Sequence, residues 1–140
     1  SSSELDPYRQ LIGEGAVGAV MTAHVYHRDL DPNHPATLSE SIIRDLLRDQ
    51  LHFKGVVVSD DMQMGAVANF YGLEEALRLA ITAGVDLIAL ANNTLYERDI
   101  VPRSISAIVD MVKDGRIPRE RIDSSCSRIA RLRADLETRL

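Results

Sequence analysis

Residues 55–64, GVVVSDDMQM, constrain this chain more than any other stretch. Val56, Val57 and Val58 form an unbroken β-branched run. Such a run suits a strand buried on both faces, as in a parallel sheet covered by helices. Ser59, Asp60 and Asp61 then put a hydroxyl and two carboxylates at the carboxyl end of that strand. In parallel α/β folds ligands bind and chemistry occurs at that end. Capping is the plainer reading. Ser and Asp oxygens accept hydrogen bonds from free helical N–H groups, and a helix is expected to start near Met62.

The surrounding sequence supplies the rest of an α/β order. Leu5, Tyr8, Leu11 and Ile12 recur at helical spacing, with Pro7 in the first turn. Residues 1–3, all serine, read as a frayed end. Residues 17–23 form the first candidate strand, and His24 follows it as Asp60 follows the central run. A lone histidine there is more often a structural hydrogen-bonder, and Met21 in a strand is usually core filler. Residues 26–36 read as a solvated loop. Its His27, Asp29, Asp31 and His34 match no metal-ligand spacing, so no metal site is expected. Thr37-Leu38-Ser39-Glu40 reads as a capping box. Ile42, Ile43, Leu46, Leu47 and Leu51 give the following helix its apolar face, and Arg44, Asp45, Arg48 and Asp49 cover the other. This helix is expected to continue to just before Gly55.

Residues 62–70 read as a short helix, with Met62 and Met64 as core packing. Leu73, Ala76, Leu77, Ala80 and Ile81 form the next face, ended by Gly84. The third strand is expected at residues 85–91, VDLIALA, terminated by Asn92 and Asn93. Pro102 and Pro118 open two last helices. The first has Ile105, Ile108, Val109 and Val112 as its inner face. The second has a stripe of Ile122, Cys126, Ile129, Leu132 and Leu136, with Arg128, Arg131 and Arg133 as a solvated flank. Strands alternating with helices imply an α/β fold with a parallel sheet. Three strands alone would leave two open edges and one uncovered face.

Length and charge exclude some classes. The 140 residues fit a single domain, 1–140. A net charge of −5 with nothing basic clustered argues against nucleic acid. No apolar run reaches the roughly 18 residues that span a bilayer, so no membrane partner is expected. Cys126 is the only cysteine, which rules out an intrachain disulfide, and its stripe position suggests a buried thiol.

Residues 21–67, MTAHVYHRDLDPNHPATLSESIIRDLLRDQLHFKGVVVSDDMQMGAV, closely resemble family 3 glycoside hydrolases, in the branch of the bacterial β-N-acetylglucosaminidases or β-hexosaminidases. The similarity continues through AITAGVDLIALANN and GRIPRERIDSSCSRIARL. The resemblance implies a TIM-type (β/α)₈ barrel, of which this chain would be about half, the last three strands. A complete barrel takes about 250 residues. The resemblance also makes Asp60, the first Asp after the Ser, the catalytic nucleophile. Through the motif Met-x-x-His it brings His24 and Met21 to the neighbouring sugar subsite. It implies a retaining β-N-acetylhexosaminidase acting on terminal N-acetylglucosamine, with no cofactor, a cytoplasmic location and peptidoglycan-derived substrates. The family's acid/base, a loop histidine paired with Asp, and its Lys-His-Phe-Pro-Gly-His-Gly-like sugar clamp match nothing in this sequence. Standalone activity is therefore not expected. Asp61 is not expected to replace the acid, because adjacent side chains on an extended segment diverge.

Two other readings stand beside the enzymatic one. A non-catalytic half-barrel module would pair with itself or another chain through its open sheet. An unrelated α/β enzyme binding a phosphorylated ligand would want a glycine-rich strand-to-helix turn, but Gly13, Gly15 and Gly18 precede a strand.

Overall fold

The computed structural model describes residues 2–93 and 96–138, so Ser1 of the expected frayed end lies outside the described residues. Helix α1 (Asp6–Gly13) leads into strand β1 (Ala19–Met21). A 3₁₀ turn (Ala36–Leu38) and a π-helix (Ser41–Gln50) cross to β2 (Val56–Asp61). The short α2 (Gly65–Ala68) and α3 (Leu73–Ala83) cross to β3 (Leu87–Ala89), and α4 (Ile100–Lys113) and α5 (Arg119–Glu137) complete the chain. The sheet is parallel in the order β1-β2-β3, with Val20 opposite Val57 and Val58 opposite Leu87. The expected α/β class and parallel pairing are therefore present. The two outer strands are shorter than the sequence suggests.

The sheet is sandwiched on one side only. Val57 is fully buried in a core with Ile43, Leu47, Leu51, Phe53, Val67, Ala76 and Ala80. A second cluster of Leu77, Ile81, Met111 and Ile117 joins α3 to α4 and the start of α5. Alternation along the strands puts Met21, Val58, Asp60 and Leu87 on the other face. There Met21 is 66% and Leu87 39% exposed, while Val58 and Asp60 are half-buried. Val56, at the amino end of that face, is fully buried. The central strand is thus not covered on both faces, and Met21 is not core filler.

Several local expectations give way to tertiary packing. The Thr37 capping box does not form. Thr37 is buried and shares a hydrogen bond of 2.9 Å with the Thr22 hydroxyl, while Ser39 Oγ accepts from the Ile42 amide at the helix start. Glu40 pairs with Arg44 instead of reaching back. The helix stops at Gln50, because His52 turns into the left-handed region at φ +58°. On α4 the buried residues are Ile100, Ser104 and Met111; of the expected inner face, Ile108 and Val112 pack against the second cluster, whereas Ile105 and Val109 face out. On α5 the buried position is Ser125; Cys126 and Leu136 are exposed. Met64 is exposed as well, whereas Met62 is buried as expected. Asp31 is buried, because its carboxylate accepts from the Asn33 and His34 amides and organises the loop around itself.

The reason for Ser125 facing inward is Asp86. Its side chain has no solvent exposure, and it sits between β2 and the helices at the amino end of the sheet. Oδ2 accepts from the Val57 amide at 3.0 Å and from Arg48 Nη2 at 2.7 Å. Oδ1 accepts from Ser125 Oγ, Arg121 Nη2 and Arg128 Nη1. Burial alone would push this carboxyl up. The Val57 amide, Arg121, Ser125 and Arg48 outweigh it and hold the group below its ordinary value. Arg128 is therefore a structural partner and not a solvated flank. Arg48 also donates to the Phe53 and Gly55 carbonyls, which fixes the approach to β2. Gly84 lies beside this cluster at φ +123°, with only 2.8 Å between an added Cβ and Ile43 Cγ2.

Candidate active site

The carboxyl end of β2 is where the polar residues gather. Ser59, Asp60 and Asp61 do not cap a helix; all three belong to the strand, and α2 begins only at Gly65. Each turns its side chain to a different use. Ser59 is fully buried, and its hydroxyl accepts from the Ala89 amide at 2.8 Å, bridging an irregularity in the β2–β3 register. The Asp61 carboxylate accepts from the Gln63 amide at 3.1 Å and the Ala91 amide at 3.0 Å. It ties the loop after β2 to the loop after β3. Asp60 lies between them on the uncovered face, with one oxygen accepting from the Asp61 amide at 2.8 Å. The two carboxylates therefore diverge, and Asp61 is committed to backbone amides.

His24 stands at the end of β1. Its Nε2 is 2.8 Å from the Asp61 carbonyl, which can only accept, so Nε2 carries the proton. His24 is 9% exposed, and its Nδ1 is the one buried side-chain nitrogen or oxygen without a partner among the described residues. The hydrogen-bonding role weighed for this histidine is thus present: it pins the backbone at the end of the central strand. Met21 lies on the uncovered face in register with Val58, one strand over from Asp60. Asn92, at φ +52°, donates its backbone amide to Gln63 Oε1, and its side chain donates to the Glu97 carbonyl and accepts from the Glu97 amide. The structure thus brings His24 and Met21 to the end of β1 and Asp60 to the adjoining end of β2. No group of three or more potential ligands that could hold a metal occurs among the described residues.

Residues 1–132 match the family model described as the glycosyl hydrolase family 3 N terminal domain. The chain belongs to glycosyl hydrolase family 3. Asp60 lies within the matched residues. Among similar proteins is a beta-hexosaminidase from Actinobacillus pleuropneumoniae, 36% identical over 107 residues, covering 76% of this chain and 28% of the relative. Among solved structures, a family 3 beta-N-acetylglucosaminidase from Paenibacillus sp. superposes with a TM-score of 0.85 at 41% identity, over 94% of this chain and 24% of that one. The beta-N-acetylglucosaminidase of Thermotoga maritima gives 0.81 at 35% identity, over 91% and 27%. This chain thus spans about a quarter of the length of these family 3 relatives.

The Asp86 cluster was the part of the molecule that sequence reading missed. Asp86 sits inside an apolar strand pattern and its partners lie 29 to 42 residues away. The only sequence signal was a charged residue inside an apolar run. Such a residue is almost never fully buried unless paired.

Proposed function

We propose that this family 3 domain carries the nucleophile of a retaining β-N-acetylhexosaminidase, and that Asp60 is that nucleophile. The reading rests on one observation. Asp60 is the carboxylate at the carboxyl end of the sheet that lies on the uncovered face, while its neighbour Asp61 is held by backbone amides. In this reading the three strands are the last three of a (β/α)₈ barrel, and the uncovered face is the barrel interior. Asp60 attacks the anomeric carbon of a terminal N-acetylglucosamine as an acid protonates the departing oxygen. Water then cleaves the glycosyl ester with net retention. The acid/base and sugar clamp come from residues that this chain does not contain. His24 and Met21 border the sugar subsite, His24 by fixing the strand end through the Asp61 carbonyl. The chemistry needs no cofactor, and the proposed substrates are peptidoglycan-derived sugars in the cytoplasm.

The test is made on the complete enzyme that carries this domain. A mechanism-based fluorosugar is expected to label Asp60 and no other residue of the domain. Asp60→Asn should lower turnover by several orders of magnitude while sugar binding persists, and NMR of the first-formed product should show retained configuration. Labelling at Asp61, or an inverted product, overturns the assignment. His24→Ala should slow the folded enzyme.

A further inference from the structure

At the opposite end of the sheet from Asp60, three guanidinium groups share one carboxylate. Arg48, Arg121 and Arg128 all reach Asp86 within 3.1 Å, at side-chain exposures of 13%, 16% and 22%. The carboxylate cancels one charge of the three. Arg121 also meets the Ile81 and Val85 carbonyls, and Arg48 lies near that of Gly84. The end of α3 therefore helps by about half a charge, and the Phe53 and Gly55 carbonyls also accept from Arg48. More than one positive charge is left over. Consistent with this, burial and the neighbouring Arg128 and Arg121 hold Arg48 below its ordinary value despite Asp86.

Arg48, Arg121 and Arg128 line a cleft of about 190 Å³ together with Arg44, Thr82 and Ser124. Arg128 spends only Nη1 on Asp86, and Arg121 spends Nε and Nη2. Among the described residues, Arg128 Nε and Nη2 and Arg121 Nη1 meet no acceptor, and they are not sealed from solvent. Other cleft groups contribute little. The Thr82 and Ser124 hydroxyls already donate to helix carbonyls, and Arg44 is neutralised by Glu40 and Asp45. On the outer side of α5, Asp123 lies 3.9 Å from Arg119. We propose that this cleft binds a small tetrahedral oxyanion, phosphate or the phosphate end of a monoester, on the unpaired N–H groups of Arg121 and Arg128. Forked guanidinium donors match that geometry, and a site this size excludes large ligands. It is separate from the Asp60 end and does not depend on the proposed glycosidase reading.

The test uses this chain with inorganic phosphate, with glycerol phosphate as the monoester arm and chloride at equal ionic strength as control. Arginine Nε–Hε NMR signals of Arg121 and Arg128 should shift saturably with phosphate and stay in place with chloride. Arg128→Gln leaves Arg48 and Arg121 on Asp86, and should weaken phosphate binding at least tenfold in a protein whose circular dichroism is unchanged. Arg119→Gln, on the outer side of the same helix, should bind as the parent does. Equal binding of both phosphates marks the ester end as the ligand; binding of inorganic phosphate alone marks the free ion. Linear shifts, or the same shifts with chloride, overturn the site. Should Arg128→Gln fail to fold, the phosphate–chloride contrast on the parent protein still decides.

Discussion

A carboxylate with no solvent exposure stays ionised at Asp86 only because every lone-pair direction meets a donor. Removing one side of such a buried pair strands the other, at a cost of about 3–5 kcal/mol. Asp86→Ala should therefore lose stability on that scale in chemical denaturation, with Arg48, Arg121 and Arg128 left facing one another. The pH dependence has a definite sign. The folded carboxyl lies below its ordinary value. Its contribution is thus complete above the unfolded value of about 3.9 and fades as pH falls through the lower folded value. Parent protein should lose melting temperature steeply below about pH 4, and folded Asp86→Asn should show a shallower loss over the same window. An identical acid limb in both would remove Asp86 from the account. The strand-end carboxylates could be picked out in the sequence because they break an apolar run. Asp86 breaks an apolar run too, but nothing local marks which side chains converge on it.

The elements were legible where apolar periodicity is strong, as in the parallel alternation of strands and helices and in α3, whose five predicted positions include the buried Ala76, Leu77, Ala80 and Ile81. Boundaries were not, because they are set by single residues answering to distant partners. Thr37 gave up capping for the Thr22 hydroxyl, and Ser125 displaced Cys126 from the inner face of α5 in order to reach Asp86. The end of the π-helix is the sharpest case. His52 holds a left-handed φ of +58° that a β-carbon makes unfavourable by about 1–2 kcal/mol. His52→Gly should therefore raise stability by about 0.5–1 kcal/mol, the larger backbone freedom of unfolded glycine offsetting part of the relief. A thermal melt of the exposed-site variant checks it; destabilisation would mean that the imidazole makes a contact outweighing the strain.

Taken whole, the molecule has a covered and an uncovered sheet face, with β1 and β3 both at edges. Exposed Met21 and Leu87 on that face, and unpaired strand edges beside them, favour pairing with further strands. The 140-residue chain by itself should self-associate in sedimentation, and it should be silent on a nitrophenyl N-acetylglucosaminide. Without leaving-group protonation the usual 10²–10⁴-fold from acid–base catalysis is absent. Turnover by a monodisperse monomer, abolished by Asp60→Asn, would contradict both expectations. The non-catalytic module remains distinguishable, since the complete enzyme would then leave the fluorosugar unattached.

Ser59, Asp60 and Asp61 point in alternation to the covered side, the open side and the covered side again, and each finds different company there. Their order is therefore a matter of phase. Insertion of one residue between Val58 and Ser59 would leave the composition of the run untouched and exchange its faces. The hydroxyl would stand on the open side, and the nucleophile candidate would be driven into the seam between β2 and β3. A chain that keeps both aspartates can thus lose its reacting group through a slip of about 3.3 Å along the strand.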